Sequence, residues 1–119
     1  MKYLKDSFQK YALSHKGSIV GSFFDPATLN FDENIEINYS KLSADFTASP
    51  HYHAKTKTWV LVLKGEMKFR VFKEEIIVKA GEFLIFEKEV PEEVLSVEES
   101  TEVITIHAPS IKGGDKVQP

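Results

Sequence analysis

The sequence predicts an all-β fold, a small antiparallel barrel or sandwich, and three features carry that expectation. Short runs of alternating or β-rich residues follow one another from residue 34 to residue 107. The connections between them, such as "KGE", "AGE" and "EES", are too short for crossover helices, so neighbouring strands are expected to pair antiparallel with one another. The 119 residues suffice for one hydrophobic core but not two. A single domain over 1–119 is therefore expected, with its barrel over about 18–112 and a flexible tail at 113–119.

Taken in order, residues 3–13 place Tyr3, Leu4, Phe8, Tyr11 and Ala12 at helical spacing, which predicts a short amphipathic N-terminal extension. "SIVGSFF" (18–24) reads as a strand and "DPATLN" as the turn after it. "NIEINYSKL" (34–42) alternates Ile35, Ile37 and Tyr39 against Glu36, Asn38 and Ser40, the pattern of a half-buried strand. "TWVLVLK" (58–64) is apolar on both faces, with Thr58, Val60 and Val62 expected inward and Trp59, Leu61 and Leu63 outward. "EMKFRVF" (66–72), "EIIVK" (75–79), "EFLIF" (82–86), "EEVLSV" (92–97) and "TEVITIH" (101–107) complete the strands. The outward apolar residues of 58–64 need cover that a small barrel cannot supply alone, so a homodimer is expected.

Composition narrows the function classes. A net charge of −3 offers no footprint for nucleic acid or an anionic membrane surface. With no cysteine, a metal would have to be held by nitrogen and oxygen. "MKYLKDSFQKYALSHK" lacks the apolar stretch of a secretion signal, and no run approaches the ~18 apolar residues of a membrane span. A cytoplasmic location is the expectation.

The chain has four histidines, and two of them sit two apart in "SPHYHAKT". In an extended chain His51 and His53 point to one face and Tyr52 to the other. Such a pair could hold a metal ion, serve acid–base chemistry, or lie as two polar residues at a strand end; the spacing alone leaves all three open. Pro50 suits the first position or edge of a strand. His107 ends the last strand in phase with Val103 and Thr105 and is expected to be structural rather than a ligand. Trp59 and Tyr52 could stack on a flat ligand, and Lys55 and Lys57 could attract an anion, although core packing and solvated lysines explain them as well.

Over residues 35 to 112 the sequence resembles the cupin superfamily, whose first motif runs G-x5-H-x-H-x3-4-E-x6-G and whose second runs G-x5-P-x-G-x2-H-x3-N. His51, His53 and Gly65 fill the two His positions and the closing Gly of the first motif. The second begins at Gly81, after the 15 residues 66 to 80, a hairpin spacing common in small cupins. "HYHAKT" and "APSIKGGDK" also resemble small single-domain cupins. The departures fall where ligands belong. Asp45 replaces the opening Gly, Thr58 the Glu, Glu87 and Glu89 the later Pro and Gly, Glu92 the His, and Ser96 the Asn.

The resemblance implies a jelly-roll barrel and a site at its mouth. His51, His53 and Glu92 would then form a two-His, one-carboxylate group for a divalent ion such as Fe, Mn, Ni or Zn. Thr58 could hold a metal-bound water, and Glu92 is the catalytic candidate, as ligand or as base. Three readings follow: a metal-dependent enzyme on a carbonyl or sugar-like small molecule, a binding protein with a degraded metal site, or a metal-free epimerase-like enzyme using histidine and carboxylate. The opposing reading of "PEEV" is a solvated acidic turn.

Overall fold

The computed structural model describes residues 2–118 and is an antiparallel β-sandwich with one short helix. The helix, α1 (Phe8–Ser14), starts later than its apolar spacing suggests because Ser7 caps it, its hydroxyl accepting from the Lys10 N–H. Ten strands follow: β1 (Ser18–Val20), β2 (Glu36–Leu42), β3 (Ala48–His53), β4 (Lys57–Lys64), β5 (Glu66–Val71), β6 (Glu74–Lys79), β7 (Phe83–Phe86), β8 (Glu92–Val97), β9 (Thr101–Ala108) and β10 (Lys116–Val117).

One sheet has the order β1-β2-β9-β4-β7 and the other β10-β3-β8-β5-β6. All pairings between these strands are antiparallel, but the expectation that neighbours in sequence pair with each other is overturned. Only β1–β2 and β5–β6 are consecutive pairs; the other short turns step across from one sheet to the other. The reason lies in the turn residues. "KGE" and "AGE" put Gly65 and Gly81 at φ of +80° and +87°, a conformation that bends the chain sharply at little cost only for glycine. The bends carry β4 over to β5 and β6 over to β7.

Alternate residues meet between the sheets. Val60, Val62, Met67, Phe69, Val94 and Val103 are at the centre of the core, so Val60 and Val62 point inward as their alternation predicts. Phe69 and Val62 are almost wholly enclosed. On the outer face of the first sheet, α1 lays Ala12 against Tyr39 and Ile104, with Ile37 and Leu61 beside them. The helix covers only part of that face: Leu63, Phe83 and Ile85 remain 48%, 64% and 43% exposed.

Part of the segment expected to be a flexible tail is strand. Residues 116–117 form β10, with Lys116 opposite His53 and Val117 opposite Tyr52 on β3, and the Ala54 N–H donates to the Asp115 carbonyl at 3.1 Å. Polar composition suggested mobility, but a free strand edge can capture a polar segment through backbone bonds alone. Residue 119 of that segment lies outside the described residues.

Candidate metal centre

β3 and β8 lie side by side in the second sheet, and their register places His51 directly opposite Glu92. Ala48 pairs with Val94, so three residue steps on β3 match two on β8. This is a bulge, and Pro50, which has no N–H for the ladder, lies within it. The extra residue turns the strand, so that Ala48 and His51, an odd number apart, both face between the sheets. The i, i+2 spacing then brings His53 to the same side. On β8 the alternation separates the two glutamates of "PEEV". Glu92 points inward and is 7% exposed, while Glu93 turns outward to meet Arg70 at 2.8 Å. The solvated-turn reading fails for both: they lie on a strand, Glu92 buried and Glu93 paired with Arg70.

His51, His53 and Glu92 each offer a donor atom, and these atoms lie within 4.8 Å of one another. They line a cavity of about 270 Å³ between the sheets, which Val60, Met67 and Phe69 floor with apolar surface. His51 is 4% exposed. Its Nδ1 is 2.7 Å from the Ser49 carbonyl oxygen; a carbonyl only accepts, so Nδ1 carries the proton and Nε2 presents a lone pair. The Nδ1 of His53 is 3.0 Å from Oδ1 of Asp115. Burial pushes the Asp115 carboxyl up, but hydrogen bonds from His53, Lys55 and Thr56 outweigh it and hold the group below its ordinary range, hence ionised. His53 therefore also carries its proton on Nδ1 and turns Nε2 free.

Electron-rich atoms face one another here. Nε2 of His51 is 3.5 Å from Oε1 of Glu92, and Oε2 of Glu92 is buried with no hydrogen-bond partner among the described residues. Burial raises the Glu92 carboxyl to about 7, although the charge of Lys116 pulls it back. Burial lowers His51 in turn, against its hydrogen bond to Ser49. The Nε2 atoms of two imidazoles and a carboxyl with an unpartnered oxygen converge here, where a proton or a metal cation can bridge them. The donor set suits a divalent ion with nitrogen and oxygen ligands.

Thr58 and His107 face the same cavity from the opposite sheet. The Thr58 hydroxyl is 2.9 Å from Nδ1 of His107, and the His107 ring lies 5.1 Å from that of His53, centroid to centroid. His107 stays outside the three-residue group, but it is a wall of the cavity, and burial lowers its pKa more than the neighbouring Glu36 restores it. Ser96 is exposed on β8, away from the cavity. A second bulge lies on β8, where the two steps from Val94 to Ser96 face the single step from Phe69 to Lys68 on β5, and Val97 packs inward beyond it.

Asp115 and Lys116 are the site residues that sequence reasoning missed. Asp115 stands 62 residues from His53, and a Gly-Gly-Asp in a polar segment carries no sign of its partner. The phase of His107 with Val103 and Thr105 was visible, but not which face lay inside.

The arrangement agrees with the comparisons. Residues 40–107 match the Cupin domain family (Cupin_2), and the chain belongs to it. No curated protein sequence matches the chain. Among solved structures, KdgF from Halomonas sp. superposes with a TM-score of 0.63 at 15% identity, over 67% of this chain and 74% of that one. Pac13, a nucleoside dehydratase, gives 0.62 at 13% identity, over 72% and 68%. A Streptomyces PAC13 variant with uridine gives 0.66 at 12% identity, over 98% and 90%. These superpositions show a shared fold.

Proposed function

We propose that the protein binds a divalent metal ion through His51, His53 and Glu92 and acts on a small carbonyl-containing or sugar-like metabolite in the cavity above it. The observation that carries this reading is the unpartnered, buried Oε2 of Glu92 beside two imidazoles whose Nδ1 protons are already engaged. When bound, such an ion polarises an oxygen of the ligand or lowers the pKa of a water. The residues of the chain do the rest. Val60, Met67 and Phe69 exclude water from one end of the ligand, and Glu92, which ligates as the anion, supplies the negative charge of the donor set. The cavity suits a compact metabolite of a few carbons. A nucleoside dehydratase among the structural relatives supports a small hydroxylated ligand.

A second reading needs no metal. Glu92 and His51, 3.5 Å apart, form an acid–base pair of the kind that moves a proton across a small substrate. Calorimetric titration of untagged protein with Fe(II), Mn(II), Ni(II) and Zn(II) separates the two. Binding by the wild type, lost in both His51→Ala and Glu92→Ala, is the expected result. Binding that survives both substitutions sinks the assignment of these residues. If wild type binds none of the four ions, the metal reading fails and the acid–base pair is left.

A further inference from the structure

We infer that Asp115, brought in by β10, is the positioning residue that makes His53 a ligand. Its two oxygens have separate tasks. Oδ2 accepts the backbone N–H groups of Lys55 and Thr56, both at 2.8 Å, which locks the carboxylate against the β3–β4 turn. Oδ1 faces His53 Nδ1 at 3.0 Å and also receives the Thr56 hydroxyl at 3.3 Å. The side chain of Asp115 is 7% exposed. A carboxylate so enclosed by donors can only accept, so the ring proton of His53 sits on Nδ1 and its Nε2 lone pair faces the cavity. The main chain of His53 is held as well, its carbonyl accepting the Glu89 N–H at 2.7 Å. β10 pairs Lys116 with His53 and thereby keeps Asp115 in place.

The substitution that tests this is Asp115→Asn, which preserves size. Two backbone N–H groups at the Oδ2 position demand an acceptor, so the amide oxygen must turn to them. The amide NH2 then faces His53 Nδ1 and converts it from donor to acceptor. The ring proton moves to Nε2, where it blocks ligation. Imidazole nitrogen NMR of the metal-free protein, above the pH where the rings protonate, reads both tautomers directly. Wild type should show Nδ1–H on both His51 and His53. In Asp115→Asn, His53 should invert to Nε2–H while His51, held by the Ser49 carbonyl, stays as it was and reports an intact fold. An unchanged His53 tautomer beside an unchanged His51 would overturn the inference. Should the variant disturb His51 too, Thr56→Val, which removes only the hydroxyl on Oδ1, must leave His53 as Nδ1–H, and inversion there would also count against it. The metal arm rests on the function proposed above: Asp115→Asn should weaken Mn(II) or Zn(II) binding by about 10–100-fold. If wild type binds no metal, that proposal fails, while the tautomer still decides the role of Asp115.

Discussion

Glu92 is the residue on which most of the chemistry turns, and its buried carboxyl makes a specific claim about stability. Its pKa is raised from 4.5 to about 7 in the fold. The folded state therefore holds a proton that the unfolded chain has released, and stability is lost as pH rises through that window. Taken at face value, the shift is worth roughly 3 kcal/mol. His51 and His107 are lowered by burial and act in the opposite sense, losing stability as pH falls below 6.5. Glu92→Gln isolates the carboxyl. In chelator, urea unfolding should show the variant gaining on wild type by roughly 3 kcal/mol between about pH 4.5 and pH 8. A difference that stays flat with pH would mean the carboxyl is solvated. That His51 and His53 share a face was legible from their spacing, and that they and Glu92 point inward only from their motif positions. Asp115 was not, because only the tertiary pairing of β10 brings it to His53.

At the scale of elements, most strands were legible because strand patterning is a local property, while β10, two residues in a polar segment, was not, and neither was the partner of each strand. A three-residue connection serves a hairpin and a corner between sheets equally well. The corner at Gly65 can be tested. A Cβ there would lie 2.4 Å from the Thr101 hydroxyl oxygen and 3.0 Å from the Thr101 Cα, at a φ of +80°, and Thr101 is fully buried. Gly65→Ala should cost about 2–4 kcal/mol by denaturant unfolding, backbone strain and overpacking together. Gly81→Ala meets no atom within 4 Å and should cost only the backbone part, about 1–2 kcal/mol. Equal costs would show that Thr101 gives way. The reverse case is Glu89, at a φ of +69°, where the related motif carries Gly. Glu89→Gly should stabilise the protein by about 0.5–1 kcal/mol, strain relief exceeding the entropy of the glycine; a loss of stability in the same assay would show that the Glu89 side chain has a role of its own.

Across the whole molecule, the two faces of the first sheet have different fates. One packs on the second sheet; the other is half covered by α1, leaving Leu63, Phe83 and Ile85 exposed, with Trp59 beside Ile85. β7 is also the edge of its sheet, so unpaired backbone lies beside the apolar surface. We propose that a second copy of the chain covers this face. Light scattering at micromolar concentration should return the mass of a dimer, and Phe83→Glu should return that of one chain. A wild type already at the mass of one chain defeats the proposal. The expectation of an apolar outer face came from "TWVLVL" alone; how much of it α1 would cover could not be read, because the docking of a helix depends on which strands lie beneath it.

The place of β9 bears on how the chain is made. It sits between β2 and β4 in its sheet, and its partners span residues 36–42 on one side and 57–64 on the other. Until residue 108 has left the ribosome, the β1–β2 pair and the β4–β7 pair are halves with no strand to join them. Synthesis at about 5–20 residues per second leaves those halves, with their inner apolar rows, waiting for seconds. Folding must then close contacts far apart in sequence, which places it among the slower topologies, milliseconds to seconds. A nascent chain stalled before Thr101 is released from the exit tunnel should be cut readily by protease, and one stalled after Ala108 has emerged should resist. The site, built on β3 and β8 but walled by His107 from β9, cannot exist before that moment.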